Sequence, residues 1–179
     1  MRKLNLGAGE EILKDFDNHD IDPREGINLI FDFNKPKFPI KDNTYDYIFC
    51  NHSLMYIKDF SNLFNELYRI SNNNAIIEIL CPHVSSNLGM SIFMHHLFSI
   101  ISFDEVEGVG GSEFGHGRFK LVKKMILFRE KRSSKIMIAI SKPINYIFNI
   151  NGFMQILADR FVSRIIPFYS IYWKIKVIK

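Results

Sequence analysis

Residues 45–81 read YDYIFCNHSLMYIKDFSNLFNELYRISNNNAIIEILC, and this stretch decides the fold class. Its two ends, Tyr45–Asn51 and Ala75–Cys81, are short β-like runs. Between them, Asp59–Ser71 repeats its apolar residues at helical spacing: Phe60, Leu63, Phe64, Leu67 and Ile70. A strand, a helix and a second strand in succession form a crossover unit, which is typical of an α/β fold with a parallel sheet.

Three further β-like runs precede this unit: Lys3–Leu6, Asn18–Asp22 and Asn28–Phe31. Runs of this kind suit strands that are buried on both faces of a parallel sheet. The link between the first two, Glu10–Asn18, has nine residues, whereas a helical crossover needs roughly a dozen or more. We therefore predict an α/β protein with a mostly parallel sheet flanked by helices, in which the first crossover holds no full helix.

The second half of the chain has a different pattern. Met90–Ile101 predicts an apolar helix, and the glycine-rich stretch Phe103–Phe119 predicts a loop. Basic and apolar residues alternate over Arg118–Ile140, which predicts a pair of antiparallel strands. Ile144–Phe161 predicts a helix, and Ile171–Ile178 predicts a final strand.

The composition bounds the class of protein. The 179 residues are 47% hydrophobic and 23% charged, which fits one packed domain and excludes global disorder. Two cysteines, Cys50 and Cys81, are too few for a disulfide scaffold or a self-contained zinc site, and we interpret both as buried free thiols. The sequence shows no run of 18 apolar residues, and its N-terminus lacks the apolar core of a signal peptide. These features predict a cytoplasmic protein.

Charge is divided unevenly along the chain. Residues 1–113 hold 9 basic and 17 acidic residues, a net charge of −8, whereas residues 114–179 hold 14 and 2, a net charge of +12. Two explanations stay open: the halves compensate each other, or the basic half meets an anionic substrate or membrane surface. Residues 143–158 are uncharged but too rich in asparagine to span a bilayer, so membrane contact would be peripheral. Nucleic-acid binding is disfavoured, because residues 118–135 offer only Phe119 and Phe128 for stacking.

Candidate ligand-binding residues follow the first strands. Lys3–Leu6 ends in Gly7-Ala8-Gly9, and a Gly-x-Gly turn lets backbone approach a ligand that a Cβ would exclude. Asp20 stands at the tip of the second strand, where a carboxylate can accept hydrogen bonds from both hydroxyls of a ribose. Asp32, beside Phe33, can accept from an adenine amino group. The alternatives are a simple turn at the glycines, a solvated acidic loop at Asp20 and a turn cap at Asp32.

Four motifs in order carry a resemblance to a family: LNLGAGE (4–10), HDID (19–22), LIFDFNKPKFPIKDNTYDYIFCNHSLMYI (29–57) and NELYRISNNNAIIEILCPH (65–83). They resemble the class I S-adenosylmethionine-dependent methyltransferases and, more narrowly, a small type 11-like group with a short link between its first two strands. Two departures stand out: the third glycine of the donor loop is missing, and Asn72–Asn74 replaces the usual Pro-Gly-Gly.

The resemblance implies a Rossmann-like fold and S-adenosylmethionine as cofactor. Residues 1–113 would form the donor-binding core, and residues 114–179 a small, basic α+β cap within the same compact domain. The positions that match the family's donor site are Gly7, Ala8, Gly9, Asp20, Asp32, Phe33 and Asn51.

Methyl transfer is an in-line displacement in which alignment supplies much of the rate. A hydroxyl acceptor must also lose its proton, and histidine is the usual base near neutral pH. We predict His95 and His83 as catalytic residues, because His83 follows the fifth strand and His95 matches a His-x-x-Phe segment of the group. His52 and His96 are further candidates, and for each histidine a structural role remains the alternative.

The leading functional hypothesis is methyl transfer from S-adenosylmethionine to an oxygen or nitrogen of a small or glycan-type acceptor. An anionic or lipid-linked acceptor would match the basic half of the chain. The alternative is a non-catalytic methyltransferase-like binding module with a degraded donor loop. A nicotinamide dinucleotide enzyme is a weaker hypothesis, because the third glycine and the phosphate-cradling helix are both missing from the pattern.

Overall fold

The computed structural model describes residues 1–86, 94–104, 117–128 and 135–179. In these residues the strands are β1 (Lys3–Leu6), β2 (Asp17–Asp20), β3 (Leu29–Ile30), β4 (Tyr45–Asn51), β5 (Ser71–Pro82), β6 (Phe119–Leu127) and β7 (Ser170–Val177). The helices are α1 (Phe60–Ile70), α2 (Lys135–Phe148) and α3 (Gly152–Arg160). Two short 3₁₀ turns cover Leu54–Tyr56 and Val162–Arg164.

The described strands form one sheet in the order β3-β2-β1-β4-β5-β7-β6. Strands β1 to β5 pair in parallel, and β7 runs antiparallel between β5 and β6. This mostly parallel sheet with helices confirms the predicted α/β, Rossmann-like class. Its centre is fully buried, as continuous apolar strands require.

Helix α1 and strand β5 form the predicted crossover. The Asp59 carboxylate caps α1 by accepting from Asn62 N–H at 3.1 Å, and the apolar stripe of the helix is buried. Strand β5 begins at Ser71, immediately after the helix and earlier than predicted. The asparagine run lies inside the strand, where Asn74 has a φ of +66° and the pairing with β4 shifts register.

Three predictions about the second half of the chain are wrong in the described residues. Residues 94–101 are not helical, because their backbone donors bond elsewhere: His95 N–H reaches Met55 O, and Ile101 N–H reaches Ser99 Oγ. Residues 87–93 and 105–116, which hold the rest of that helix and most of the glycine-rich loop, lie outside the described residues.

In the described residues of the predicted strand pair, 118–128 and 135–140, there is one strand. Strand β6 pairs with β7, and α2 begins at Lys135. The predicted single helix over 144–161 is two helices, because Asn151 ends the link between them and caps α3 by accepting from Met154 N–H at 2.9 Å.

Both cysteines are free and fully buried in the sheet, as predicted. Burial raises the pKa of Cys50 to about 12 and that of Cys81 well above its usual value. Within the described residues, we find no helix with the length and apolar character that crossing a membrane requires.

A buried ion pair joins α1 to the loop before β4. Arg69 donates to both carboxylate oxygens of Glu66 at 2.7 Å, and to the carbonyl oxygens of Ile40 and Phe38 at 2.7 and 3.1 Å. Glu66 also accepts from Phe38 N–H at 2.7 Å. Burial alone would raise the pKa of Glu66, but these hydrogen bonds hold it below its usual value.

We expect Glu66→Gln to lower the free energy of unfolding by about 1–3 kcal/mol, because it removes the buried carboxylate and leaves Arg69 with the exposed Asp42 as its charged partner. Urea denaturation measures the loss. Arg2→Gln is the matched control, since it breaks the exposed pair with Asp17 and should cost less than about 1 kcal/mol. Equal losses in the two variants would show that the Glu66–Arg69 pair does not anchor the loop.

Candidate ligand-binding site

A cavity of about 510 Å³ lies at the carboxyl ends of β1, β2 and β4. Four segments and Tyr56 line it: Gly7–Glu11, Asp20–Ile21, Asp32–Asn34 and Asn51–Ser53. The carboxyl edge of a parallel sheet is where folds of this class bind ligands. The seven residues that the sequence predicts for the donor site all line this one cavity: Gly7, Ala8, Gly9, Asp20, Asp32, Phe33 and Asn51.

The link between β1 and β2 contains no helix, as its length predicts. Two buried asparagines hold it instead. Asn5 Nδ2 donates to Glu11 O and to Asn18 Oδ1 at 2.8 and 3.0 Å, and Asn18 bonds both the N–H and the carbonyl of Leu13 at 3.0 Å. In a longer link, a helix would satisfy the backbone groups through its own hydrogen bonds. Here the two asparagine side chains satisfy Glu11 O and the N–H and carbonyl of Leu13.

His19 is buried below the glycine turn. Its Nδ1 accepts from Gly7 N–H at 3.1 Å, so the proton is on Nε2, which donates to Phe31 O at 2.8 Å. The imidazole also packs on the Phe31 ring, with centroids 3.8 Å apart. Burial lowers the pKa of His19 below its usual value, which favours this neutral form. One neutral ring therefore joins β1, β2 and the segment that carries Asp32.

The two glycines of the turn have different roles. Gly7 has a φ of +75°, and a Cβ there would lie 2.3 Å from Ser53 Cβ, which is not a tolerable distance. Gly9 has a φ of +55°, and a Cβ there would meet no protein atom within 4 Å among the described residues. Gly7 is thus required by packing against Ser53, and Gly9 is the glycine that leaves space on the cavity side.

Asp20 binds the turn through its side chain. Its Oδ2 accepts from Gly9 N–H at 2.7 Å, and its Oδ1 accepts from Ile21 N–H and Asp22 N–H at 2.8 and 3.2 Å. Three backbone donors therefore fix the carboxylate at the cavity wall, and Oδ2 keeps acceptor capacity for a ligand. Asp32 also caps a turn, because its Oδ1 accepts from Asn34 N–H at 2.8 Å.

The cavity wall is acidic. Glu10, Glu11, Asp20 and Asp32 line it, and none of the described lining residues is a lysine or arginine. Asn51 Nδ2 donates to Glu11 Oε2, which fixes the orientation of that amide. Asn51 Oδ1 is buried and has no hydrogen-bond donor in the described part of the chain. The site thus offers acceptors and negative charge, which suits a cationic ligand with N–H or O–H donors.

Neither histidine predicted as a base lines the cavity. His83 is fully buried, with Nδ1 accepting from Ser85 N–H at 3.0 Å and Nε2 donating to Asp159 Oδ1 at 3.0 Å, so it joins β5 to α3. His95 is exposed, on the segment that bonds Met55. His52 does line the cavity; it has a φ of +51°, and its Nε2 lies 3.0 Å from Ser170 Oγ of β7.

Sequence reasoning also missed Asn5, Asn18, His19 and Glu11. The first three lie within or beside strands, where a polar residue in an apolar run signals a buried hydrogen-bond network. Their partners include side chains and backbone groups up to 40 residues away, and the linear pattern does not identify which groups meet.

We expect Gly7→Ala to destabilise the protein by about 2–4 kcal/mol, because the added Cβ meets Ser53 and the φ is left-handed. Gly9→Ala should cost only the backbone strain, about 1–2 kcal/mol. Urea denaturation of both variants, and of Gly7→Ala combined with Ser53→Gly, measures the difference. A loss at Gly7 that Ser53→Gly does not reduce would contradict the packing role.

The lowered pKa of His19 makes stability depend on pH. An unfolded histidine takes up a proton below about pH 6.5, while the folded His19 stays neutral to lower pH. The stabilisation is therefore fully present above about pH 6.5 and is lost as the pH falls towards the folded pKa, at up to about 1.4 kcal/mol per pH unit. His19→Asn keeps an acceptor for Gly7 N–H but does not titrate, so its unfolding free energy should fall less steeply between pH 6.5 and 5. Parallel profiles for the two proteins would refute this assignment.

Comparison with known proteins shows similarity to methyltransferases. The sequence family described as a methyltransferase domain matches residues 20–79. No curated protein sequence matches the chain. In structure, the chain is similar to an S-adenosylmethionine-dependent methyltransferase from Archaeoglobus fulgidus, with 17% identity, a TM-score of 0.61, and coverage of 98% of this chain and 85% of the other.

Two further structures show how widely this fold is used. One is phosphoethanolamine N-methyltransferase 2 from Haemonchus contortus, solved with S-adenosylmethionine, with 14% identity, a TM-score of 0.54, and coverage of 99% and 48%. The other is the [4+2]-cyclase SpnF, with 10% identity, a TM-score of 0.60, and coverage of 99% and 74%. Identities this low show the fold alone. Together with the sequence match over residues 20–79, these structures show that the chain has the fold of the class I S-adenosylmethionine-dependent methyltransferases.

Proposed function

We propose that the cavity binds S-adenosylmethionine and that the protein transfers its methyl group to an oxygen or nitrogen of a small or glycan-type acceptor. The match of residues 20–79 to a methyltransferase-domain family supports methyl transfer in general. The observation that carries the donor assignment is the wall of four carboxylates without a described lysine or arginine. Such a wall favours a sulfonium cation and disfavours the diphosphate of a nicotinamide dinucleotide.

The residues present fit this donor group by group. The Asp20 carboxylate, oriented by three backbone N–H groups, would accept from the ribose hydroxyls. Asp32 would accept from the adenine amino group beside the ring of Phe33. The orphaned Asn51 Oδ1, next to Glu11, would accept from the donor's ammonium group. When bound, S-adenosylmethionine supplies an electrophilic methyl group.

His52 is our candidate for the residue that faces the acceptor. Among the described residues that line the cavity, His52 is the one histidine. It directly follows the carboxyl end of the central strand β4. Its bond to Ser170 holds the ring at the cavity wall. From there it can accept a proton from a hydroxyl acceptor or orient an amine. The buried His83 and the exposed His95 would require rearrangement to do either.

The alternative function is a binding module that keeps the donor site but transfers no methyl group. The short link favours it, because the helix N-terminus that would support a donor carboxylate is missing between β1 and β2. Turnover separates the two: the module would bind the donor and form no S-adenosylhomocysteine with any acceptor.

We expect calorimetric titration to detect binding of S-adenosylmethionine and S-adenosylhomocysteine but not of NAD. Asp20→Asn should weaken donor binding by about tenfold or more, since charge-assisted hydrogen bonds to the ribose contribute roughly 1.5–3 kcal/mol. Asp22→Asn, an exposed acid two residues away, is the matched control and should bind normally. Binding of NAD alone would overturn the donor assignment.

For a hydroxyl acceptor, His52→Ala should lower kcat by about 10²–10⁴, the usual range for loss of a general base, while the donor Kd is retained. His95→Ala serves as the control outside the cavity. The assay follows formation of S-adenosylhomocysteine with a panel of amines, sugars and sugar phosphates. Loss of turnover in His95→Ala and not in His52→Ala would reverse the assignment.

A further inference from the structure

Helix α2 exposes a stripe of apolar side chains to solvent. Its apolar side chains Ile136, Ile140 and Ile147 recur at spacings of four and seven residues and are exposed to solvent, as is Tyr146, which is 75% exposed. The side that packs on the sheet carries Phe148, whose ring contacts that of Phe168, together with the polar residues Ser141 and Asn145. An amphipathic helix of a globular protein normally points its apolar stripe inward.

The polar side of α2 is bonded to the sheet, so this orientation is specified. Asn145 Oδ1 accepts from Phe128 N–H at 2.7 Å. Just after the helix, Asn149 Oδ1 accepts from Ile126 N–H and its Nδ2 donates to Ile126 O, both at 2.8 Å. These bonds attach the asparagines to the end of β6. Turning the helix over would leave those polar groups unpaired and is therefore disfavoured.

Helix α3 and the turn after it also expose apolar side chains. Gln155 is buried and donates to Lys124 O at 2.8 Å, whereas Phe153 and Ile156 are exposed, Phe153 by 72%. Beyond the helix, Phe161 and Ile165 are also exposed, Ile165 by 84%. Of the 20 large hydrophobic side chains that are exposed in the described residues, 10 fall within residues 136–166. We call this set the outer apolar face: Ile136, Ile140, Tyr146, Ile147, Ile150, Phe153, Ile156, Phe161, Ile165 and Ile166.

The charge around this face has one sign. Residues 135–166 contain four basic residues and one acidic residue. That acid, Asp159, is turned inward, where its Oδ1 accepts from His83 Nε2 and from Ile100 N–H. Lys142, Arg160 and Arg164 are exposed. Exposed apolar and aromatic side chains flanked by lysine and arginine are the composition of an interfacial membrane helix.

We propose that the outer apolar face docks onto an anionic lipid bilayer, with its isoleucine and aromatic side chains at the level of the headgroups and its basic side chains on the anionic lipids. Exposed apolar sets of this size mark interaction surfaces. The basic charge selects a lipid surface over a neutral partner. At 14 and 9 residues, α2 and α3 lie on the bilayer, because spanning needs about 20. This proposal does not depend on methyl transfer.

Co-sedimentation with phosphatidylcholine vesicles, with and without phosphatidylglycerol, at low and high salt tests the proposal. We expect binding to anionic vesicles that weakens at high salt. Tyr146→Ser combined with Phe153→Ser should weaken it by about tenfold or more, because large exposed apolar groups no longer leave water. Arg160→Glu combined with Arg164→Glu should abolish the anionic preference. All four changes are at exposed positions, and unchanged circular dichroism verifies folding.

Leu97→Ser and Lys58→Glu are matched controls, since both residues are exposed elsewhere in the described chain and should not affect binding. Equal binding to neutral and anionic vesicles, or equal loss in the controls, would overturn the proposal. A third outcome would also overturn the proposal: the protein does not bind vesicles, light scattering shows a dimer, and Tyr146→Ser with Phe153→Ser dissociates that dimer. A second copy of the chain would then cover the outer apolar face. Calorimetric titration of each variant with S-adenosylmethionine is a separate measurement. A variant that loses vesicle binding but still binds S-adenosylmethionine shows that the two proposals stand or fall independently.

Discussion

One buried imidazole ring holds the ligand-binding edge of the sheet together. His19 accepts from Gly7 N–H and donates to Phe31 O, so it joins the turn after β1 to the segment that carries Asp32. Both bonds require the neutral ring with its proton on Nε2, and burial favours that form. The short link after β1 makes this dependence necessary, because there is no helix between β1 and β2 to position the turn. Its place is taken by His19 and by the Asn5–Asn18 pair.

This construction changes the electrostatics of the cavity. A helix N-terminus would place several free N–H groups and a partial positive charge at the glycine turn. Here Gly7 and Gly9 use their N–H groups on His19 and Asp20, and Glu10 and Glu11 occupy the wall. The described wall is therefore negative and rich in acceptors. Such a wall suits a cationic ligand, and it offers a ligand carboxylate less support than a helix N-terminus would.

The C-terminal half combines two demands that conflict in an ordinary globular domain. Strand β7 completes the sheet and buries Trp173 at its centre, so this half is part of the core. Helices α2 and α3 bond to β6 and the residue after it through asparagine and glutamine side chains and bury Phe148 and Ala158, yet they leave the outer apolar face in water. Hydrogen bonds can orient a helix with apolar side chains outward when the bonded groups are buried. Any other orientation would leave those buried polar groups without partners, and that loss costs more than the exposure of the apolar side chains. Binding of the outer apolar face to another surface would remove the free-energy cost of exposing these side chains to water.

The amino-acid sequence alone determined the parallel sheet, the crossover helix and the glycine and aspartate positions of the cavity, because each is encoded by local periodicity or by a turn within a few residues. Residues 3–6, 45–51 and 60–70 form the elements that their patterns predict. Only the tertiary structure decided which histidine reaches the cavity. His52, His83 and His95 all follow strands or apolar runs, and their exposure depends on Ser170, Asp159 and Met55, which are distant in sequence. The same holds for α2: the alternating apolar residues after residue 135 predict a strand, but the segment is helical, and Asn145 and Asn149 bond its end to Phe128 and Ile126. The local pattern indicates which secondary structure and burial a residue favours. Its contact partner depends on which distant segment the fold places next to it.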